Sequence, residues 1–103
     1  MPAKATWEGD DGGGLRLSGD WRLRSLDQIL RRDGKTLLRQ QWTHLSLAGV
    51  TALDSATLAF VLEWQSAQRS LGSAAQLHDL PKTLKDLLNL YGLGQLWQED
   101  GGV

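Results

Sequence analysis

An uncharged segment near the middle of the chain constrains the fold more than any other feature. Residues 43–50 read THLSLAGV and contain no lysine, arginine, aspartate or glutamate. A segment that is apolar on both faces is typical of an interior strand with parallel neighbours. Such strands alternate with helices along the chain, so the segment predicts an α/β protein.

Two shorter strands are predicted before this segment. The tract GDDGGG at residues 9–14 supplies the positive φ angles that a hairpin turn needs. After it, Leu15 and Leu17 alternate with polar residues, which is typical of a half-buried strand. A short first strand around residues 6–8 completes an opening hairpin.

The first helix has a predicted start and an open end. Residues 25–28, SLDQ, fit a capping box, which predicts that the helix begins there. Asp33 and Gly34 would end the helix, yet Leu37 and Leu38 resume the helical spacing after them. The end of this helix therefore stays open.

A long second helix is predicted after the interior strand. Asp54 or Ser55 is its N-cap, since either side chain can accept hydrogen bonds from the free N–H groups, and Gly72 closes it. A fourth strand over residues 74–80 and a last helix near Pro81 complete the order β-β-α-β-α-β-α.

This order predicts an α/β fold in which helices pack on a mixed sheet of about four strands. A chain of 103 residues corresponds to a single domain, here residues 1–103. We expect its core to cover roughly residues 6–95 and its termini to fray.

Composition excludes several classes of function. The 11 lysines and arginines against 12 aspartates and glutamates argue against nucleic acid as a partner. The absence of cysteine excludes disulfides and thiolate chemistry. The longest apolar run, residues 58–62, is too short for a membrane span, and the polar N-terminus lacks a signal-peptide pattern. We therefore expect a cytoplasmic protein with no direct membrane span.

No catalytic, metal or cofactor site is predicted. His44 and His78 lack the spacing of metal ligands on one face. The adjacent Asp54 and Ser55 cannot easily place a histidine between them, as a catalytic triad requires. The glycine tract lacks the Gly-Lys-Ser/Thr ending of a phosphate-binding loop.

One candidate site remains, at Asp54, Ser55, Ala56 and Thr57. It follows the interior strand and opens the longest helix, where free N–H groups and the helix dipole favour an anion. A phosphoryl group on Ser55 would change the local charge from neutral to about −2. The alternative interpretation is that Asp54 and Ser55 only cap the helix.

The residues around this site resemble a known signature. Residues 45–59, LSLAGVTALDSATLA, resemble the STAS domain, the module shared by anti-sigma factor antagonists and sulfate transporter tails. Residues 17–20, LSGD, and 87–93, LLNLYGL, agree with the same family. The resemblance covers most of residues 15–95. It implies a STAS fold and a non-enzymatic protein that docks on a protein partner.

Two branches of the family imply different partners. In anti-sigma factor antagonists the serine at position 55 is phosphorylated by a partner kinase, which switches binding off. In the Mla ABC system, which moves phospholipids between the two membranes of Gram-negative bacteria, the STAS subunit binds the ATPase. Gly19, Asp20 and Trp21 look more like the Mla segments, which favours the ATPase at the inner face of the inner membrane. A homodimer through the same face is a further alternative.

The resemblance assigns a partner-binding or phosphorylation role to Asp54, Ser55, Ala56 and Thr57. Glu63, on the expected exposed edge of the same helix, extends this interface. Position 57 is commonly glycine or alanine in the family. The β-branched Thr57 is therefore expected to crowd the docking surface, and its hydroxyl to share the role of Ser55.

Tryptophan accounts for five of the seven aromatic residues. Trp64 shares an apolar stripe with Phe60 and is predicted to lie in the core. Trp21 and Trp97 are expected to be half-exposed anchors, because tryptophan is enriched at interface hot spots. At least one tryptophan away from the core should be partly exposed.

Overall fold

The computed structural model describes residues 4–94, in which strands and helices follow the predicted order. The strands are β1 (Thr6–Gly9), β2 (Leu15–Asp20), β3 (His44–Ala52) and β4 (Gln76–His78), and the helices are α1 (Leu23–Arg39), α2 (Ser55–Ser70) and α3 (Lys82–Leu90). The sheet order is β1-β2-β3-β4; β1 is antiparallel to β2, and the other two pairs are parallel. The predicted α/β fold with a mixed sheet is confirmed.

The sheet buries one face and leaves the other open. Leu15, Leu45 and Leu77 lie side by side on the buried face and join one core with apolar side chains of the helices. β3 is an interior strand with parallel neighbours, as predicted, but only one of its faces is covered, since Ala48 is exposed. A polar row crosses the open face: Glu8, Arg16, Ser46 and His78.

Two glycines allow β2 and β3 to approach each other with an irregular register. The register shifts between Arg16 and Ser18 and again between Gly19 and Asp20. Gly19 has a φ of +87°, a conformation that L side chains rarely adopt. A Cβ atom at Gly49 would collide with the Ser18 side chain. Gly19 and Gly49 lie in residues 17–20 and 45–59, two of the segments that resemble the family. The glycines of these segments are therefore explained by backbone geometry.

The first helix begins earlier than predicted. Its first residue is Leu23 and its N-cap is Arg22, which makes no side-chain capping bond, so the start at residues 25–28 was wrong. The N–H of Leu23 donates instead to Asp54 Oδ2 at 3.1 Å. Asp54, from another part of the chain, therefore caps α1 in place of the predicted local capping box.

The same helix continues through the potential break. Gly34 lies inside α1, and the helix ends at Arg39. A glycine in a helix costs about 1 kcal/mol relative to alanine, whereas burying a leucine gains roughly 1.5–3 kcal/mol. Leu37, one turn further on, is fully buried. The free energy gained by burying Leu37 outweighs the cost of Gly34 in the helix.

The other boundaries differ from the predictions by a few residues. β3 extends to Ala52, and β4 occupies only Gln76–His78 of the predicted 74–80. Pro81 is the N-cap of α3, directly before its first turn. Gly72 closes α2 as predicted, with a φ of +79°.

Tryptophans occupy both the core and its edge. Trp64 is fully buried, as predicted, and Trp42 is 4% exposed. Trp7 is partly exposed, but it packs against the core and does not lie away from it as predicted. Its indole N–H donates to Asp33 at 2.9 Å. Trp97 lies outside the described residues.

Candidate functional site

The candidate site lies where two parallel strands end at one edge of the sheet. β2 leads into α1 and β3 leads into α2, and the N–H of Trp21 donates to the carbonyl of Ala52 at 2.9 Å. Two helix N-termini, each with N–H groups that lack a partner within their helix, therefore start side by side.

Asp54 caps both of these helices. Its Oδ1 atom accepts from the N–H groups of Ala56 at 2.9 Å and Thr57 at 3.4 Å. Its Oδ2 atom accepts from the N–H of Leu23, the first residue of α1, at 3.1 Å. One carboxylate thus fixes the two helix starts relative to each other.

Thr57 completes the capping box of α2 from inside the protein. Its hydroxyl donates to the carbonyl of Trp21 at 2.6 Å and accepts from the N–H of Asp54 at 3.1 Å. The residue is fully buried, so the expectation that it crowds the docking surface and shares the role of Ser55 was wrong. The third helical position faces back toward the N-cap, and here that direction points into the core.

Trp21 is also a core residue. Its ring is fully buried, and its centroid lies 5.5 Å from the centroid of the Phe60 ring. Its Nε1–H donates to the carbonyl of Ser18 at 2.9 Å. The expectation of a half-exposed interface anchor was therefore wrong. The short link between β2 and α1 turns the indole inward, where Phe60 packs against it.

Ser55 is the exposed member of the motif. It is the first residue of α2, and its hydroxyl makes no hydrogen bond within residues 4–94. Ala56 beside it is half-buried. Asp54 and Thr57 therefore serve the framework, Ala56 packs partly against the core, and Ser55 faces outward. A negative charge on Ser55 would gain about 0.3–1 kcal/mol from the helix dipole.

An ion pair flanks this edge of the sheet. Arg22 Nη2 donates to Asp20 Oδ2 at 2.8 Å, while Arg22 Nε and the Arg22 backbone N–H donate to Oδ1 at 3.0 and 2.9 Å. The Arg22 side chain and N–H hold the pKa of Asp20 below its ordinary value, and Asp20 raises the pKa of Arg22. Asp20 is therefore bound as an anion at the end of β2.

We expect stability to fall in acid. The pKa of Asp20 is lowered as described, and the Gly14 N–H holds the pKa of Asp10 below its ordinary value. A carboxyl with a lower pKa in the folded state stabilises it above the unfolded pKa, and this contribution is lost as the pH falls through the folded pKa. The free energy of unfolding, measured with urea, should decline as the pH falls below roughly 5. Asp20→Asn should flatten this decline, and an unchanged decline would contradict the assignment.

An apolar groove runs between α1 and α2 beside Ser55. It encloses about 210 Å³, and Leu23, which is 64% exposed, and Ala56 lie at its end nearest the motif. The other lining residues are Leu26, Asp27, Leu30, Ala59, Phe60 and Glu63. Glu63 is exposed on the edge of α2, as the sequence predicts.

The two histidines lie together at the other end of β3. Their rings are 4.9 Å apart between centroids, and His44 Nε2 is 3.3 Å from an oxygen of Asp10. Within residues 4–94, no group of three histidine, cysteine or acidic side chains is placed to hold a metal ion. In the same residues, no helix is long and apolar enough to cross a membrane.

Fold and site together define a small α/β protein that presents a serine at a helix start, at the edge where its parallel strands end. A family model described as Mlab, STAS domain matches residues 5–98. The chain belongs to this STAS-domain family.

Solved structures of the same fold include an anti-sigma factor antagonist. The chain is similar to SpoIIAA in its unphosphorylated form, with a TM-score of 0.67 and 14% identity over 93% of this chain and 87% of that chain. It is also similar to the Bacillus cell fate determinant SpoIIAA in the phosphorylated form, with a TM-score of 0.66 and 14% identity over 93% and 90% of the two chains. These likenesses confirm the STAS fold. No curated protein sequence matches the chain.

Proposed function

We propose that this chain is a non-catalytic subunit that binds the cytoplasmic ATPase of an ABC-type intermembrane phospholipid transporter and regulates or stabilises it. The observation that carries the proposal is the exposed Ser55 at the start of α2, a helix start that the hydrogen bonds of Asp54 and Thr57 fix in place. The matching family model, described by the name Mlab, favours the transporter branch over other STAS proteins.

The proposed docking surface comprises Ser55, Ala56 and the exposed edge of α2 that carries Glu63. Asp54 and Thr57 support this surface from beneath, because their hydrogen bonds set the position of the helix start. Bound to the ATPase, the chain would lie at the inner face of the inner membrane.

Ser55→Asp is expected to weaken binding to the ATPase about tenfold or more. The helix N-terminus stabilises the new carboxylate in the free protein, and covering it in an interface would cost its desolvation. Binding is measured by titrating purified ATPase with the variant, and circular dichroism checks the fold.

Thr83→Asp is the matched control. Thr83 is exposed in the first turn of α3, so this variant adds the same charge at another helix start. It should bind as the wild type does. Equal affinities for Ser55→Asp and the wild type would remove Ser55 from the docking surface.

A second candidate function is that of an anti-sigma factor antagonist switched by phosphorylation of Ser55. Two observations favour it: the similarity to SpoIIAA, one structure of which is a phosphorylated form, and the free hydroxyl of Ser55. Incubation with the cognate anti-sigma factor kinase and ATP should then add one phosphoryl group by intact mass spectrometry. Ser55→Ala should abolish the addition.

A further inference from the structure

We infer that the groove between α1 and α2 receives one apolar side chain of the ATPase, next to a basic residue of the same partner. The inference rests on the proposed function and names the chemistry that the docking surface recognises. The groove is continuous with that surface, because Ala56 contributes to both.

The size of the groove selects its occupant. Pockets for small molecules enclose roughly 300–1,000 Å³ and bury most of their ligand. A dry cavity of about 150 Å³ lined by leucine, isoleucine and phenylalanine holds a benzene-sized group. At about 210 Å³, this open groove has room for a single leucine, methionine or phenylalanine side chain.

The charge at the rim selects the neighbour of that side chain. The charged residues that line the groove are Asp27 on α1 and Glu63 on α2, and both are acidic. Arg31 pairs with Asp27 at 3.1 Å. Glu63 has no ion-pair partner within residues 4–94. An arginine or lysine of the partner would complement this unpaired carboxylate.

Leu23 is the residue that most directly tests the groove. Its side chain is largely exposed in the free protein, while its backbone N–H is held by Asp54. Truncating an exposed side chain leaves the fold intact, whereas truncating one that anchors a partner lowers affinity.

The closing experiment titrates the purified ATPase with the full chain and with matched variants. Leu23→Ala should weaken binding about tenfold, and Leu90→Ala, which truncates a leucine that is 75% exposed on α3, should bind normally. Glu63→Gln should weaken binding less than Leu23→Ala does, and it should reduce the salt dependence of the affinity. Glu8→Gln, at an exposed position on β1, should change neither the affinity nor its salt dependence.

The other outcomes each overturn the inference. If the wild type binds and Leu23→Ala binds equally well, the proposed function stands and the groove is not the anchor site. If the wild type does not bind the ATPase, both fall. Light scattering that shows a wild-type dimer and a Leu23→Ala monomer would assign the groove to a second copy. Weaker Leu23→Ala binding to phosphatidylethanolamine and phosphatidylglycerol vesicles would assign it to lipid.

Discussion

Trp21→Ala is expected to lower the free energy of unfolding by about 3–5 kcal/mol. The indole is fully buried against Phe60, and its N–H bonds to the carbonyl of Ser18. Removing it leaves a cavity and deletes the hydrogen bond to Ser18. Because small domains have total stabilities of about 5–15 kcal/mol, this loss is a large share of the whole.

Urea unfolding followed by far-ultraviolet circular dichroism measures the effect. Trp21→Phe is the matched variant: it keeps an aromatic ring against Phe60 and loses the N–H, so its loss should be clearly smaller. A loss below about 1 kcal/mol for the alanine variant would contradict the burial of Trp21 and restore it as a surface anchor.

Asp54→Ala is expected to cost about 2–3 kcal/mol. Loss of an N-cap side chain costs typically about 1 kcal/mol and up to about 2. The hydrogen bond to Leu23 at the start of α1 adds about 1 kcal/mol. The effect exceeds that of an ordinary cap because one carboxylate serves two helices.

Asp54→Asn separates the two contributions. Asparagine caps a helix about as well as aspartate, so α2 keeps its acceptor, but the amide NH₂ cannot accept from the N–H of Leu23. We expect a loss of about 1 kcal/mol, with faster hydrogen exchange at the start of α1 only. Equal losses for the asparagine and alanine variants would show that Asp54 does not cap α1.

The fold could be predicted from the sequence because its signals are local. An uncharged segment followed by a capped amphipathic helix predicts a strand and a helix wherever it occurs, and the alternation of such units determines the order. The start of α1 could not be found in this way. Its cap comes from Asp54, which is 31 residues away from Leu23.

The helix start at Asp54 and Ser55 was predicted from the sequence, but the burial of Thr57 and Trp21 was not. Ser55 and Asp54 were located by their place at a helix start. Thr57 was misassigned because the direction of a side chain in the first turn depends on which face the sheet covers. The spacing of Asp54 and Thr57, N-cap and third helical position, was the available signal of a capping box. Trp21 carried no comparable signal, since a tryptophan fits an interface and a core equally well.

The glycines that let β2 and β3 approach each other have a consequence for how such proteins diversify. Gly19 and Gly49 are required by backbone conformation and close packing, and neither contributes a side chain to the docking surface. These two glycines of the signature are thus explained by the scaffold, whereas we propose that Ser55, Leu23 and Glu63 select the partner. Under the proposed function, the partner of such a domain can therefore change through a few outward side chains, with no change in the glycines that shape its backbone.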